Sequence, residues 1–242
     1  MIYTIIFAAI LPAFLLVLYI WLRDKWQREP LSQIVKGVLY GVFSAGIAML
    51  LEGVISGLGF TPETHSIIGG FWKAFVGAAM PEEAAKLLML WLLLRNNPYF
   101  DERFDGIVYA CCVGMGFAGT ENILYLISNI NEWESVAVSR AIFAVPGHFM
   151  FAVVMGYYYS QVAFRDLSFT KRSRIFWMPV ILHGIYDGLL FAAQAIGTEE
   201  YASVTGVLIL CFYIFVLWMF RHGRKRIKEQ SEADDPNKIQ FF

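Results

Sequence analysis

Charge is scarce in this chain. Only 16% of its 242 residues are Asp, Glu, Lys or Arg, while 58% are hydrophobic, and a soluble domain carries about 25% charge. Cysteine is scarce as well: Cys111, Cys112 and Cys211 all fall within apolar runs, with no CxxC pair. That excludes a disulfide framework and a thiolate metal site and leaves small packing residues. No HExxH and no GxSxG is present. Asp187 is the sole aspartate inside an apolar run, which excludes a two-aspartate dyad. A net charge of −1 says nothing about partners, and no nucleic acid is expected among them. The one glycine-rich match, Gly114-Met115-Gly116-Phe117-Ala118-Gly119, lies in an apolar helix with no preceding strand, so it is not a dinucleotide site. Gly106, Ala110, Gly114 and Ala118 recur every fourth residue, the pattern of close helix packing.

What the chain does have is apolar runs long enough to cross about 30 Å of hydrocarbon. Seven are expected, at 2–22, 34–57, 69–94, 106–127, 137–163, 175–195 and 201–220. The first has no basic residue before it and is expected to be an uncleaved anchor. With the N-terminus outside, 16 of the 19 Lys and Arg fall on inner segments, Arg165 and Lys238 among them, leaving Lys73, Lys86 and Arg140. The expected fold is an all-α polytopic membrane bundle of seven transmembrane helices, N-out and C-in. It forms one membrane domain over 1–220, followed by a short, poorly ordered cytoplasmic polar tail over 221–242.

Against that background the intramembrane charges stand out, since each costs roughly 2.5–3.5 kcal/mol at the bilayer centre. Met80-Pro81-Glu82-Glu83-Ala84-Ala85-Lys86 opens the apolar run at 87–94. At about 100° per residue, Lys86 projects between Glu82 and Glu83, so the three can converge on one helix side. An ion pair alone needs one glutamate; the second points to a site. Span four adds Glu121, span five His148 after Pro146, and span six His183 with Asp187 one turn on. That i, i+4 spacing lets Asp187 orient His183 or serve as a second ligand. Glu52, near the outer end of span two, reads as interfacial. Run in their assigned directions, the helices hold these polar groups within about 12 Å of depth at ~1.5 Å per residue. One cavity opening outward can contain them all.

The set Glu82-Glu83-x-x-Lys86, Phe117-x-x-x-Glu121, Pro146-x-His148 and His183-x-x-x-Asp187 resembles the four motifs of the PrsW family of intramembrane proteases, distant relatives of the CAAX prenyl endopeptidases. The likeness extends to Tyr19–Pro30, Phe104–Tyr109, Glu121–Leu126 and Leu182-His183-Gly184, and so covers most of the chain. It implies a multi-pass protease of the bacterial plasma membrane. Such an enzyme makes the first, extracytoplasmic-side cut in a single-span membrane protein such as an anti-sigma factor, and a second protease completes release.

The chemistry suits the residues. Glu82 or Glu83 would activate water with Lys86 orienting the pair, and His183, held by Asp187, would handle the developing charge. Zinc is the expected cofactor, with Glu121, His148 and His183 as ligands and Asp187 as a further candidate. A metal-free glutamate–histidine mechanism would use the same residues. The alternative class is a proton- or ion-coupled transporter, which also places Glu, His and Lys at mid-membrane. Seven spans without internal similarity argue against it.

Overall fold

The computed structural model describes residues 2–164 and 169–236, so Arg165 and Lys238 lie outside the described residues. Among the described residues there is no strand. Seven helical rods follow the seven apolar runs. The first two are α1 (Ile2–Arg23) and α2 (Leu31–Gly57). The third is built from α3 (Ile67–Trp72), a π-helical segment (Lys73–Ala79) and α4 (Met80–Leu94). Next come α5 (Arg103–Ser128) and a fifth rod made of α6 (Trp133–Ser139), a π-helical segment (Arg140–Ala144) and α7 (Val145–Phe164). The last two are α8 (Phe169–Ala195) and α9 (Ala202–Ala233). Among the described residues, six rods are long and apolar enough to cross a membrane. The exception, Ile67–Leu94, is the rod that carries Lys73, Glu82, Glu83 and Lys86.

Helix α5 is the axis of the bundle, buried from Phe104 to Gly119, with α1 and α2 on one side and α7 on the other. Small residues set these distances. A Cβ on Gly116 would lie 2.1 Å from the Val38 carbonyl oxygen, and one on Gly41 would lie 2.1 Å from that of Val113. On the opposite face a Cβ on Gly114 would meet Ala152 at 2.7 Å, and one on Gly156 would meet the Gly106 oxygen at 2.2 Å. The four-residue stripe on α5 is thus a packing seam. Gly116→Val should force α2 off α5 and cost about 1–3 kcal/mol or more; a fall in the midpoint of thermal unfolding in detergent checks it. Cys111 and Cys112 are buried in this core and Cys211 is exposed on α9, none of them paired.

The basic end is tied together by polar contacts. Asp234 accepts from the Arg103 and Phe104 N–H groups at 3.1 and 2.7 Å, so the end of α9 caps the start of α5. The Trp26 indole donates to the Ser231 oxygen at 3.1 Å. The tail from Arg221, expected to be poorly ordered, is therefore helical as far as Ala233, held by contacts more than a hundred residues away in sequence. In the loop between α1 and α2, Glu29 is 3% exposed and accepts from the Tyr109 hydroxyl at 2.5 Å.

Burial pushes the Glu29 carboxyl up to about 7 and that of nearby Asp24 to about 6. The folded chain then holds protons that the unfolded chain has released, so stability falls as pH rises from the ordinary carboxylate range toward 7. Glu29→Gln, which keeps the acceptor for Tyr109, should flatten that decline and raise thermal stability at neutral pH. Thermal unfolding measured across this window for both proteins tests it.

Candidate active site

Proline shapes both rods that carry the central charges. Pro81 and Pro146 sit in the first turns of α4 and α7, inside continuous helical paths. A proline lacks the N–H for the helical bond, and its ring crowds the carbonyl four residues back. In each case the turn ahead of it is π-helical, Lys73–Ala79 before Pro81 and Arg140–Ala144 before Pro146. The wider turn absorbs the misfit, as such bulges do at functional sites. It also aims the side chains that follow, Glu82 and Glu83 in one rod and His148 in the other.

These meet His183 of α8 at the bundle centre. Glu82, Glu83, Lys86, His148 and His183 are all at most 6% exposed. The Lys86 ammonium is the hub: it donates to Glu82 Oε2 at 3.0 Å and Glu83 Oε1 at 2.8 Å, and lies 3.2 Å from His148 Nδ1. Its charge also sits 3.9 Å from the Phe117 ring centroid. His183 Nδ1 is 2.9 Å from Glu83 Oε1, and Phe151 stacks on the imidazole at 4.6 Å.

The two histidines are arranged alike. Each turns Nδ1 inward, toward Lys86 or Glu83, and Nε2 outward onto a carboxylate. His148 Nε2 is 2.9 Å from Glu121 Oε2, and His183 Nε2 is 3.1 Å from Asp187 Oδ2. Donor atoms of Glu82, Glu83, His148 and His183 lie within 4.8 Å of one another. Two nitrogens and two carboxylates in that volume are the donor chemistry of a catalytic divalent-metal site, and an outer carboxylate on each histidine is the usual support for such ligands. Glu83 Oε2 adds a buried acceptor with no hydrogen-bond partner. The residues fit a metal.

The structure brings together every residue singled out in the sequence: Glu82, Glu83, Lys86, Glu121, His148, His183 and Asp187. Glu121 and Asp187 form the outer layer, and Glu82 and Glu83 the inner one. Two further residues join them. Arg140 donates to Glu121 Oε2 at 2.6 Å and to Asn122 Oδ1 at 2.5 Å, and its guanidinium lies over Tyr125. Glu52, expected to be interfacial, lines the cavity that Glu82 borders. Arg140 precedes His148 by two helical turns, a spacing that placed it on the same face; for Glu52 the sequence offered only its rarity as an acid in an apolar run.

Two adjoining cavities reach the cluster. One, of about 380 Å³, runs between α2, the third rod, α5 and α8, with Glu52, Glu82, Glu121 and Asp187 on its wall. The other, of about 200 Å³, is bordered by Arg140, His148, His183 and Tyr186 and shares Glu121 and Asp187 with the first. Glu82 faces this space, whereas Glu83 is fully buried behind it.

Helical rods of membrane-spanning length around a buried acid–base cluster that can hold a metal are the parts of an intramembrane hydrolase, although an ion-coupled transporter shares them. The comparisons narrow the choice. The family described as PrsW family intramembrane metalloprotease matches residues 7–219. Protease PrsW of Geobacillus kaustophilus is 34% identical over 95% of this chain and 96% of its own length. The proteins of that name from Bacillus subtilis and Clostridioides difficile are each 32% identical, over 93% and 87% of this chain and 96% and 85% of theirs. No solved structure matches the chain. The chain belongs to the PrsW family and is a multi-pass bacterial membrane peptidase acting on a protein substrate in the membrane. The transporter alternative, which the same charges allowed, gives way to that assignment.

Proposed function

We propose that this protease makes the first, extracytoplasmic-side cut in a single-span membrane protein of the anti-sigma factor kind. The observation that carries the reading is the cavity beside Glu82. Its mixed wall, with Glu52, Ser56 and Thr61 set among apolar side chains, suits an extended peptide, and orientation by basic residues assigns it to the outer half of the membrane. Glu82, at the cavity wall, is the base that takes the proton of the attacking water. Glu83 is the positioning residue that holds Lys86 and the Nδ1 side of His183. The imidazole of His183, steadied by Asp187, faces the developing oxyanion or the leaving amine. Arg140 fixes Glu121, which fixes His148.

Zinc is the metal we assign, with Glu83, His148 and His183 as the candidate ligands, Glu82 left free as the base, and Glu121 and Asp187 as the outer partners of the histidines. When bound it would polarise the carbonyl and acidify water. The charges favour such a guest: among the described residues Glu82 and Glu83 pair with Lys86, Glu121 pairs with Arg140, and Asp187 has His183 as its partner. The test is metal analysis of the purified protein, with cleavage of a reconstituted anti-sigma factor followed before and after chelation. Stoichiometric zinc and chelator-sensitive cleavage support the assignment; full activity in metal-free protein leaves the glutamate base and removes the zinc.

A further inference from the structure

A larger cavity lies at the opposite, basic end of the bundle. Helices α1 and α9 both pack on α7 but little on each other, and the groove between them encloses about 680 Å³. Its deep wall is apolar, with Leu16 of α1, Phe149 of α7 and Phe220 of α9. Tyr19 closes on Phe149 with ring centroids 6.1 Å apart. Its mouth carries Arg23, Lys25, Arg224 and Lys228, with Glu232 as the one acid. Lys228 and Glu232 pair at 3.6 Å, while among the described residues Arg23, Lys25 and Arg224 make no ion pair.

Basic residues at this end are expected from orientation alone. Convergence on one cavity is not, because Arg23 and Lys25 come from the end of α1 and the loop after it while Arg224 and Lys228 come from α9, and the space beneath them is lined with apolar side chains. We propose that the groove binds an anionic phospholipid of the cytoplasmic leaflet. The headgroup phosphate sits among Arg23, Lys25 and Arg224, and an acyl chain runs along Leu16, Phe149 and Phe220. Free phosphate would satisfy the cations and leave the apolar wall uncovered. A zwitterionic lipid would cover the wall but bring its own cation against two arginines. Guanidinium groups match phosphate oxygens in pairs, and basic pockets between transmembrane helices bind anionic headgroups in this way.

The experiment uses the full chain in detergent, titrated separately with dioleoylphosphatidylglycerol, dioleoylphosphatidylcholine and glycerol 3-phosphate, with bound ligand read by native mass spectrometry. Phosphatidylglycerol should bind at least about 10-fold tighter than phosphatidylcholine, and glycerol 3-phosphate should not bind detectably. Arg23→Gln/Arg224→Gln should weaken phosphatidylglycerol by roughly 10–30-fold and leave phosphatidylcholine unchanged. Arg95→Gln/Arg221→Gln removes two cations from the same end outside the groove and should keep the preference. Leu16→Trp, which fills the apolar wall without touching charge, should weaken both lipids. Equal binding of the two lipids would overturn the proposal. So would an equal loss in the control pair, an unaffected Leu16→Trp protein, or glycerol 3-phosphate binding as tightly as phosphatidylglycerol.

Discussion

Glu82→Gln should lower turnover of a reconstituted single-span substrate by about 10²–10⁴-fold, the range for loss of a general base, while the protein inserts and folds normally. Gln keeps the size of the side chain and an acceptor for Lys86 but cannot take a proton. Glu83→Gln should also cut activity severely, yet through a different route. Glu83 holds both Lys86 and His183 at 2.8 and 2.9 Å in full burial. Neutralising it leaves part of the Lys86 charge uncompensated, and breaking a buried ion pair costs about 3–5 kcal/mol. Thermal unfolding separates the two: the midpoint should fall further for Glu83→Gln, which loses contacts to both Lys86 and His183, than for Glu82→Gln, which loses the one to Lys86. Equal unfolding shifts with near-normal turnover in both would remove the assigned roles.

His183→Ala should abolish cleavage, because the imidazole joins the inner carboxylates to the outer one, with Glu83 on Nδ1 and Asp187 on Nε2. Asp187→Asn should be milder, at roughly 10–100-fold, the usual loss when an outer partner of a ligand or catalytic imidazole is changed. If Asp187 were itself a metal ligand, its loss would match that of His183, and bound zinc would fall equally in both. Turnover and metal content measured on the two variants decide between these positions.

The seven rods were legible in the sequence because hydrocarbon thickness sets a minimum length, and few segments of a soluble protein satisfy it. The cluster was legible because buried charge is expensive: Glu82, Glu83 and Lys86 stand out against an apolar run, and His183 with Asp187 share a helix face. The order within the cluster was not. That Glu121 and Asp187 back the histidines while Glu82 and Glu83 face inward depends on how α4, α5, α7 and α8 are rotated about their axes. Local spacing does not fix that rotation. The π-helical turns before Pro81 and Pro146 supply part of it, and a hydropathy pattern reads straight through them. Arg140 and Glu52 were undervalued because each lies near a helix end, where a charge is cheap. Their partners come from other rods. The helical tail belongs to the same class, since Asp234 finds its hydrogen bonds on α5.

The central claim is that the Glu82 cluster hydrolyses a peptide bond within the outer half of the membrane. The direct measurement is mass-spectrometric mapping of the cut in a single-span anti-sigma factor co-reconstituted with the purified protein in vesicles. The account predicts one cut, on the extracytoplasmic side of the substrate's span, that disappears in the Glu82→Gln protein. A cut on the cytoplasmic side, or one that persists unchanged in Glu82→Gln, would contradict it.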